Sequence, residues 1–317
     1  MMMAKPKVSI VIPVYNGSNF MECAIDCALH QTYQNIEVIV VNDGSTDGGK
    51  TEKIALSYGE KIRYFSKPNG GVSSALNYGI RKMTGDYFAW LSHDDAYTPC
   101  RIEDSVALLA SHDLLGKKYV GFTGGYIADA SGTKIKDFRH SFEKNRIYSG
   151  YEAMEVMVSF GTLYGCNLLI PREAFDEAGL FDESLRYSQD TLMWYRIFLA
   201  GYGLISDEKP NVMSRMHNSQ VSHLRRDLFT HDALVIAKLL AEPLTKADGT
   251  GRLLKRYIKR HTRYECHEAV SYLYRYAEAQ GYLRFRDRVE INVYRIWGFF
   301  RHRIVTLIKK VLLRFRH

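Results

Sequence analysis

The chain is poor in cysteine and has no long apolar runs, and each shortage excludes something. It has five cysteines in 317 residues. Cys23, Cys27, Cys100, Cys166 and Cys266 form an odd set without a CxxC pair, which fits a reducing compartment better than a disulfide framework. Cys23 and Cys27 stand one helical turn apart and read as small core residues. No stretch of about 18 apolar residues occurs, so no ordinary membrane span is expected. Residues 1–7 run straight into a strand without the apolar core of about 7–15 residues that a signal peptide needs. The expectation is a cytoplasmic protein, or one peripheral on the inner face of the cell membrane. Internal repeats and low-complexity segments are lacking too, and 46% hydrophobic residues can build a real core.

The net charge is +8, and its location matters more than its size. Residues 283–317 hold ten Lys or Arg against Asp287 and Glu290, while the rest of the chain is neutral. A nucleic-acid binder would spread basic charge over its folded domain, so no nucleic-acid partner is expected.

The run from Tyr87 to Leu91 reads as a buried strand that breaks at Ser92-His93-Asp94-Asp95. Two adjacent carboxylates beyond a strand's carboxyl end are well placed to hold a divalent cation against an anionic ligand. Upstream, Val8 to Val14 and Glu37 to Val41 are near-continuous apolar strands that end in Tyr15-Asn16-Gly17-Ser18 and Asn42-Asp43-Gly44-Ser45-Thr46-Asp47. Helices are expected near 20–31, 51–58, 73–83 and 101–111, with a short strand over 62–66. This alternation predicts an α/β fold, a Rossmann-like, mostly parallel sheet flanked by helices. A long loop is expected from Lys134 to Tyr151, a strand over 163–170, a helix opened by Pro171 and another over 191–200. After Arg215-Met216-His217 the chain reads as helical.

Taken in order, these motifs resemble the family 2 inverting glycosyltransferases, whose nucleotide-sugar domain has the GT-A fold. The matching stretches are Val8 to Asn16, Gln31-Thr32-Tyr33 with Asn35-Ile36-Glu37, Asn42 to Asp47, Asn69-Gly70-Gly71-Val72 with Asn77, Leu91 to Asp95, Gln189-Asp190, and Arg215-Met216-His217. They span roughly residues 6–222. The resemblance implies a UDP-sugar donor held by Pro13, Tyr15, Asp43, Asn69 and Asp94. Tyr15 would stack on uracil while Asp43 accepts its N3–H. Asp95, with His217 approaching from the other side, would hold Mn²⁺ or Mg²⁺ against the diphosphate. Asp190 would deprotonate the acceptor hydroxyl, and Trp194 reads as core. The acceptor would be a glycan or lipid-linked oligosaccharide in bacterial O-antigen, capsule or exopolysaccharide assembly.

Three positions depart from the family pattern: Ser92 stands where an acid is common, Leu76 where an Arg precedes the Asn of the third helix, and Gln189 where Glu is usual. The implied organisation is a GT-A domain over 1–225, with a nucleotide-sugar half over 1–96 and an acceptor half over 97–225. A helical region over 226–282 and a basic tail over 283–317 follow. Two rivals are a nucleotidyltransferase and a non-catalytic nucleotide- or glycan-binding adaptor. The first would carry a basic glycine-rich loop after the first strand, and residues 15–18 have no base. In the tail, Ile304, Ile308, Val311 and Phe315 repeat at helical spacing beside Arg303, Lys310 and Arg314, with Trp297, Phe299 and Phe300 upstream. That pattern reads as a basic amphipathic helix for an acidic membrane surface.

Overall fold

A strand that is apolar at nearly every position needs cover on both faces, and β1 (Val8–Val14) has it: all of its residues are buried, Ser9 with its hydroxyl bonded to Glu37. In this computed structural model, which describes residues 5–138, 142–161, 163–217, 226–262 and 266–293, the chain forms two units, one up to Leu224 and one from Arg225. The first unit continues through α1 (Met21–Leu29), β2 (Ile36–Asn42), α2 (Lys50–Ser57), β3 (Arg63–Ser66), α3 (Val72–Lys82) and β4 (Tyr87–Trp90). These strands pair in parallel in the order β3-β2-β1-β4, so their carboxyl ends lie along one edge.

Beyond β4 the sheet changes character. β5 (Ala96–Tyr97) and α4 (Arg101–Ser111) lead to β6 (Tyr119–Ala128), β7 (Lys134–Asp137) and β8 (Ile147–Tyr148), then to α5 (Gly150–Phe160). β9 (Leu168–Pro171), α6 (Glu173–Ala178), α7 (Gln189–Leu199) and β10 (Gly203–Arg215) complete the unit. β9 pairs antiparallel with both β4 and β6, while β6 and β10 form a long parallel ladder. The antiparallel ladders are the short ones, so the sheet is mixed but mostly parallel by paired length.

The structure corrects several expectations. Residues 134–151 are not one loop: β7 pairs with β6, β8 with β10, and α5 starts behind a Ser149–Glu152 capping box. Residues 165–167 are a 3₁₀ turn rather than strand, and Pro171 ends β9 instead of opening a helix. Asp190 is the second residue of α7, whose N-cap is Ser188. Cys23 is exposed and Cys27 only partly buried, so neither is a plain core residue.

The second unit is helical, with α8 (Arg226–Asp248), α9 (Arg252–Thr262) and α10 (His267–Ala279), and residues 285–293 are helical as well. Ala233, Ile236, Ala237, Leu240 and Leu244 line one face of α8, and Leu253, Leu254, Tyr257 and Ile258 are buried on α9. Among the described residues no helix is long and apolar enough to cross a membrane. The periodic residues from Ile304 to Phe315 lie outside the described residues.

Candidate active site

The polar residues that end β1, β2 and β4 share one edge, and three of the four acids expected from sequence, Asp43, Asp94 and Asp95, sit there. Asp43 follows β2, and its amide donates to the Val14 carbonyl at 2.8 Å, pinning the two strand ends together. Its buried carboxylate accepts from Lys67 Nζ at 2.6 Å, from the Gly70 amide at 3.0 Å and from the Gly71 amide at 2.7 Å. Asn69 Nδ2 donates to the Asp43 carbonyl at 2.8 Å. Gly71 has a φ of 88°, which a side chain resists, and that turn aims both amides at Asp43. The described residues supply three of the about four hydrogen bonds that a carboxylate accepts. Tyr15 is 45% exposed, its hydroxyl 3.4 Å from Thr46 Oγ1, and its ring is open rather than part of the core. Pro13 is buried in β1.

Asp94 and Asp95 occupy the turn after β4, and the end of β10 clamps them. The Arg215 amide donates to Asp95 Oδ1 at 3.0 Å, and Arg215 Nε to the Asp94 carbonyl at 3.0 Å. His217 Nε2 lies 3.0 Å from Asp94 Oδ2, with its ring tilted against Phe20. Cys166 Sγ donates to Asp95 Oδ2 at 3.4 Å. Burial first, and the charge of Asp94 second, push Asp95 well above the usual carboxylate range. Two carboxylates that strain against ionising together are suited to a divalent cation, which removes the repulsion. Among the described residues no three His, Cys, Asp or Glu side chains form a ready metal cage. An oxygen-rich, incomplete set of this kind fits Mg²⁺ or Mn²⁺, which take one or two carboxylates and complete their shell with substrate phosphates and water.

Behind Cys166 stands Arg101, fully buried. Its Nη2 donates to the Cys166 and Leu168 carbonyls at 3.3 and 2.8 Å, and its Nη1 to Ser105 Oγ at 2.7 Å. The guanidinium covers the Tyr97 ring at 5.0 Å. Sequence reading gave no role to Arg101, Cys166 or Lys67, because none belongs to a motif and only the fold brings them together.

Asp190 is partly accessible, and Oδ1 accepts from the Thr191 amide at 2.6 Å. Desolvation raises its pKa to about 6. The segment 163–166 links it to the carboxylate pair: the Leu163 carbonyl accepts from Trp194 Nε1 at 3.0 Å, one turn along α7 from Asp190, and Cys166 reaches Asp95. Partial burial, then the charges of Asp190 and Asp95, push the intervening Tyr164 phenol up. The loop before α7 is also fastened to the Asp43 side. Asn77 exchanges hydrogen bonds with the Phe181 backbone, both at 2.9 Å, and Arg186 Nη1 donates to the Gly70 carbonyl at 3.0 Å. Trp194 is core, as expected.

Comparison with known proteins matches this architecture. Residues 9–179 fit the family model described as Glycosyl transferase family 2. An uncharacterized glycosyltransferase of Rickettsia bellii is 43% identical over 256 residues, which is 78% of this chain and 36% of the relative. One from Rickettsia typhi is 47% identical over 222 residues, 69% of this chain and 66% of the relative. The chain therefore spans about a third of the length of the first of these and about two thirds of the second. Among solved structures, residues 1–349 of S. aureus TarS in complex with UDP-GlcNAc superpose with a TM-score of 0.63 at 16% identity, covering 91% of this chain and 79% of that one. At that identity the likeness speaks for the fold.

Proposed function

The chain belongs to glycosyltransferase family 2, and from that premise we propose that it moves a sugar, with inversion, from a UDP-sugar to a hydroxyl of a glycan or lipid-linked acceptor in surface polysaccharide assembly. The observation that carries this reading is the bridge of residues 163–166, which ties Asp95 to the helix turn of Asp190. UDP-GlcNAc, held by TarS, makes a UDP-sugar the donor to try first.

In the proposed reaction Tyr15 stacks on uracil, and Asp43 takes its N3–H beside Lys67, Gly70 and Gly71. Pro13, Asn69 and Asp94 shape the rest of the nucleotide site. Asp190 accepts the proton of the acceptor hydroxyl as that oxygen attacks the anomeric carbon. The bond from this carbon to the phosphate oxygen breaks, and its electron pair leaves with UDP. Mn²⁺ or Mg²⁺ held by Asp95, with Asp94 and His217, would neutralise charge on the departing diphosphate. Incubating the protein with single UDP-sugars and Mn²⁺ should release UDP, and a chelator should abolish the release. Binding of a UDP-sugar without UDP release under any acceptor condition would contradict the proposal and favour an adaptor.

The basic tail supports a membrane-side acceptor. Residues 285–293 expose Phe285, Val289 and Val293 at helical spacing, while Leu283 and Ile291 are buried. Asp287 and Glu290 are paired with Lys255 and Lys259, at 3.4 and 2.6 Å, so the acids of this stretch are engaged with other lysines. An apolar stripe beside basic residues suits an acidic lipid surface. Deletion after Tyr282 should reduce sedimentation with anionic vesicles while leaving neutral ones unaffected. Equal binding by the full and truncated chains would contradict the membrane role.

A further inference from the structure

Among the exposed aromatic residues of the first unit, Tyr164 stands out because it is built into position. It is 53% exposed, and its ring lies on that of Phe138 with centroids 4.6 Å apart and planes at 8°. Phe138 is held in turn by β6. Its amide donates to the Gly125 carbonyl at 2.8 Å, and a Cβ at Gly125 would stand 2.5 Å from the Phe138 ring. A glycine inside a strand costs stability, and here it makes the room that the Phe138 ring occupies. Tyr164 is equally constrained along the chain, between Leu163, bonded to Trp194, and Cys166, bonded to Asp95. The result is a stiff two-ring stack carried by the segment that joins Asp95 to the helix of Asp190, with Tyr164 half exposed.

An exposed aromatic face presents negative quadrupole charge and little hydration, which suits the polarised C–H bonds on the flat face of a pyranose ring. Its place in the sheet decides which sugar-bearing substrate it meets. The uracil position lies at the ends of β1 and β2, Asp95 follows β4 in the middle, and Phe138 and Tyr164 belong to the β6 and β9 side, beyond Asp95. A donor running from Asp43 to Asp95 leaves that side to the other reactant.

We propose that the outer face of Tyr164, backed by Phe138, is the platform on which the terminal sugar ring of the acceptor stacks, so that the acceptor ends in a pyranose and not in a linear alditol phosphate. The assignment rests on the glycosyltransferase reading, which makes a second sugar-bearing substrate necessary. It also selects the hydroxyl: ring stacking fixes the acceptor's orientation, and the hydroxyl that then faces Asp190 is the one transferred to.

Saturation-transfer NMR on the full chain with UDP and Mn²⁺ tests it, using methyl glycosides of glucose, galactose and N-acetylglucosamine as probes and ribitol 5-phosphate as the linear comparator. The expected result is binding of at least one pyranoside, with strongest saturation on the C–H protons of one ring face. Tyr164→Ala and Tyr164→Leu should each weaken it about tenfold, while Tyr164→Phe retains it. Phe138→Ala should weaken it too, since it removes the backing without touching the exposed ring. Binding of ribitol 5-phosphate but no pyranoside would overturn the proposal. So would pyranoside binding that Tyr164→Leu leaves intact, since that substitution keeps apolar bulk and removes only the π face. The two readings fail separately: pyranoside binding that depends on Tyr164, with no UDP released from any donor, keeps the platform and removes the transferase; UDP release with binding indifferent to Tyr164 does the reverse.

Discussion

Asp190→Asn should abolish transfer and at the same time make the protein more stable at neutral pH. Loss of a general base costs on the order of 10²–10⁴-fold in rate. The stability gain follows from burial. Asp190 has its pKa raised from 3.8 to about 6 because the folded protein disfavours its charge. A group with a raised folded pKa favours the fold while protonated, and that contribution is lost as pH rises through the folded pKa. Above pH 6 the ionised Asp190 therefore costs up to about 3 kcal/mol, at 1.36 kcal/mol per pK unit. Asparagine is spared that cost. Melting temperatures of the parent and the variant should separate progressively from about pH 4 to about pH 6 and coincide below. The rate of the parent should fall as pH drops below about 6, where Asp190 takes up its proton. Equal melting curves at pH 7.5 would mean that Asp190 is not desolvated, and a variant that still transfers would mean that it is not the base.

Arg101→Ala should produce the largest loss of stability, about 3–5 kcal/mol, measured as a shift in the urea midpoint. The substitution opens a cavity and strips donors from the Cys166 carbonyl, the Leu168 carbonyl and Ser105, and each buried group left unpaired costs about 1–3 kcal/mol. The damage should also reach the carboxylate pair, because Arg101 supports the segment from which Cys166 contacts Asp95. Arg101→Lys keeps one donor and a long side chain and should lose less. A change below 1 kcal/mol for the alanine variant would show that this buried guanidinium is not a structural tie.

The parallel half of the sheet was legible in the sequence because burial on both faces leaves little alternation: β1, β2 and β4 read as near-continuous apolar runs that end in polar residues along one edge. β7 was illegible for the opposite reason. Lys134-Ile135-Lys136-Asp137 is exposed throughout and owes its strand form to pairing with β6. β10 contains Pro210 and is bulged on either side of it, which hid a strand of 13 residues. α5 could have been found, since Ser149 and Glu152 form a capping box that sequence spacing alone announces.

At the site the acids carried by motifs were visible. Their setting was not: Lys67 and the Gly70 and Gly71 amides on Asp43, Arg215 and Cys166 on Asp95, and Arg186 on Gly70 are contacts between segments far apart in the chain. Leu76, which stands where an Arg commonly precedes the Asn of the third helix, is a buried residue of α3.

A crystal structure of the full chain with UDP and Mn²⁺ tests the central claim most directly. The expected result is uracil against Tyr15 with its N3–H on Asp43, the cation between Asp95 and the diphosphate, and Asp190 facing open space beyond the terminal phosphate. Density for UDP away from Asp43, or a cation that does not touch Asp95, would contradict it.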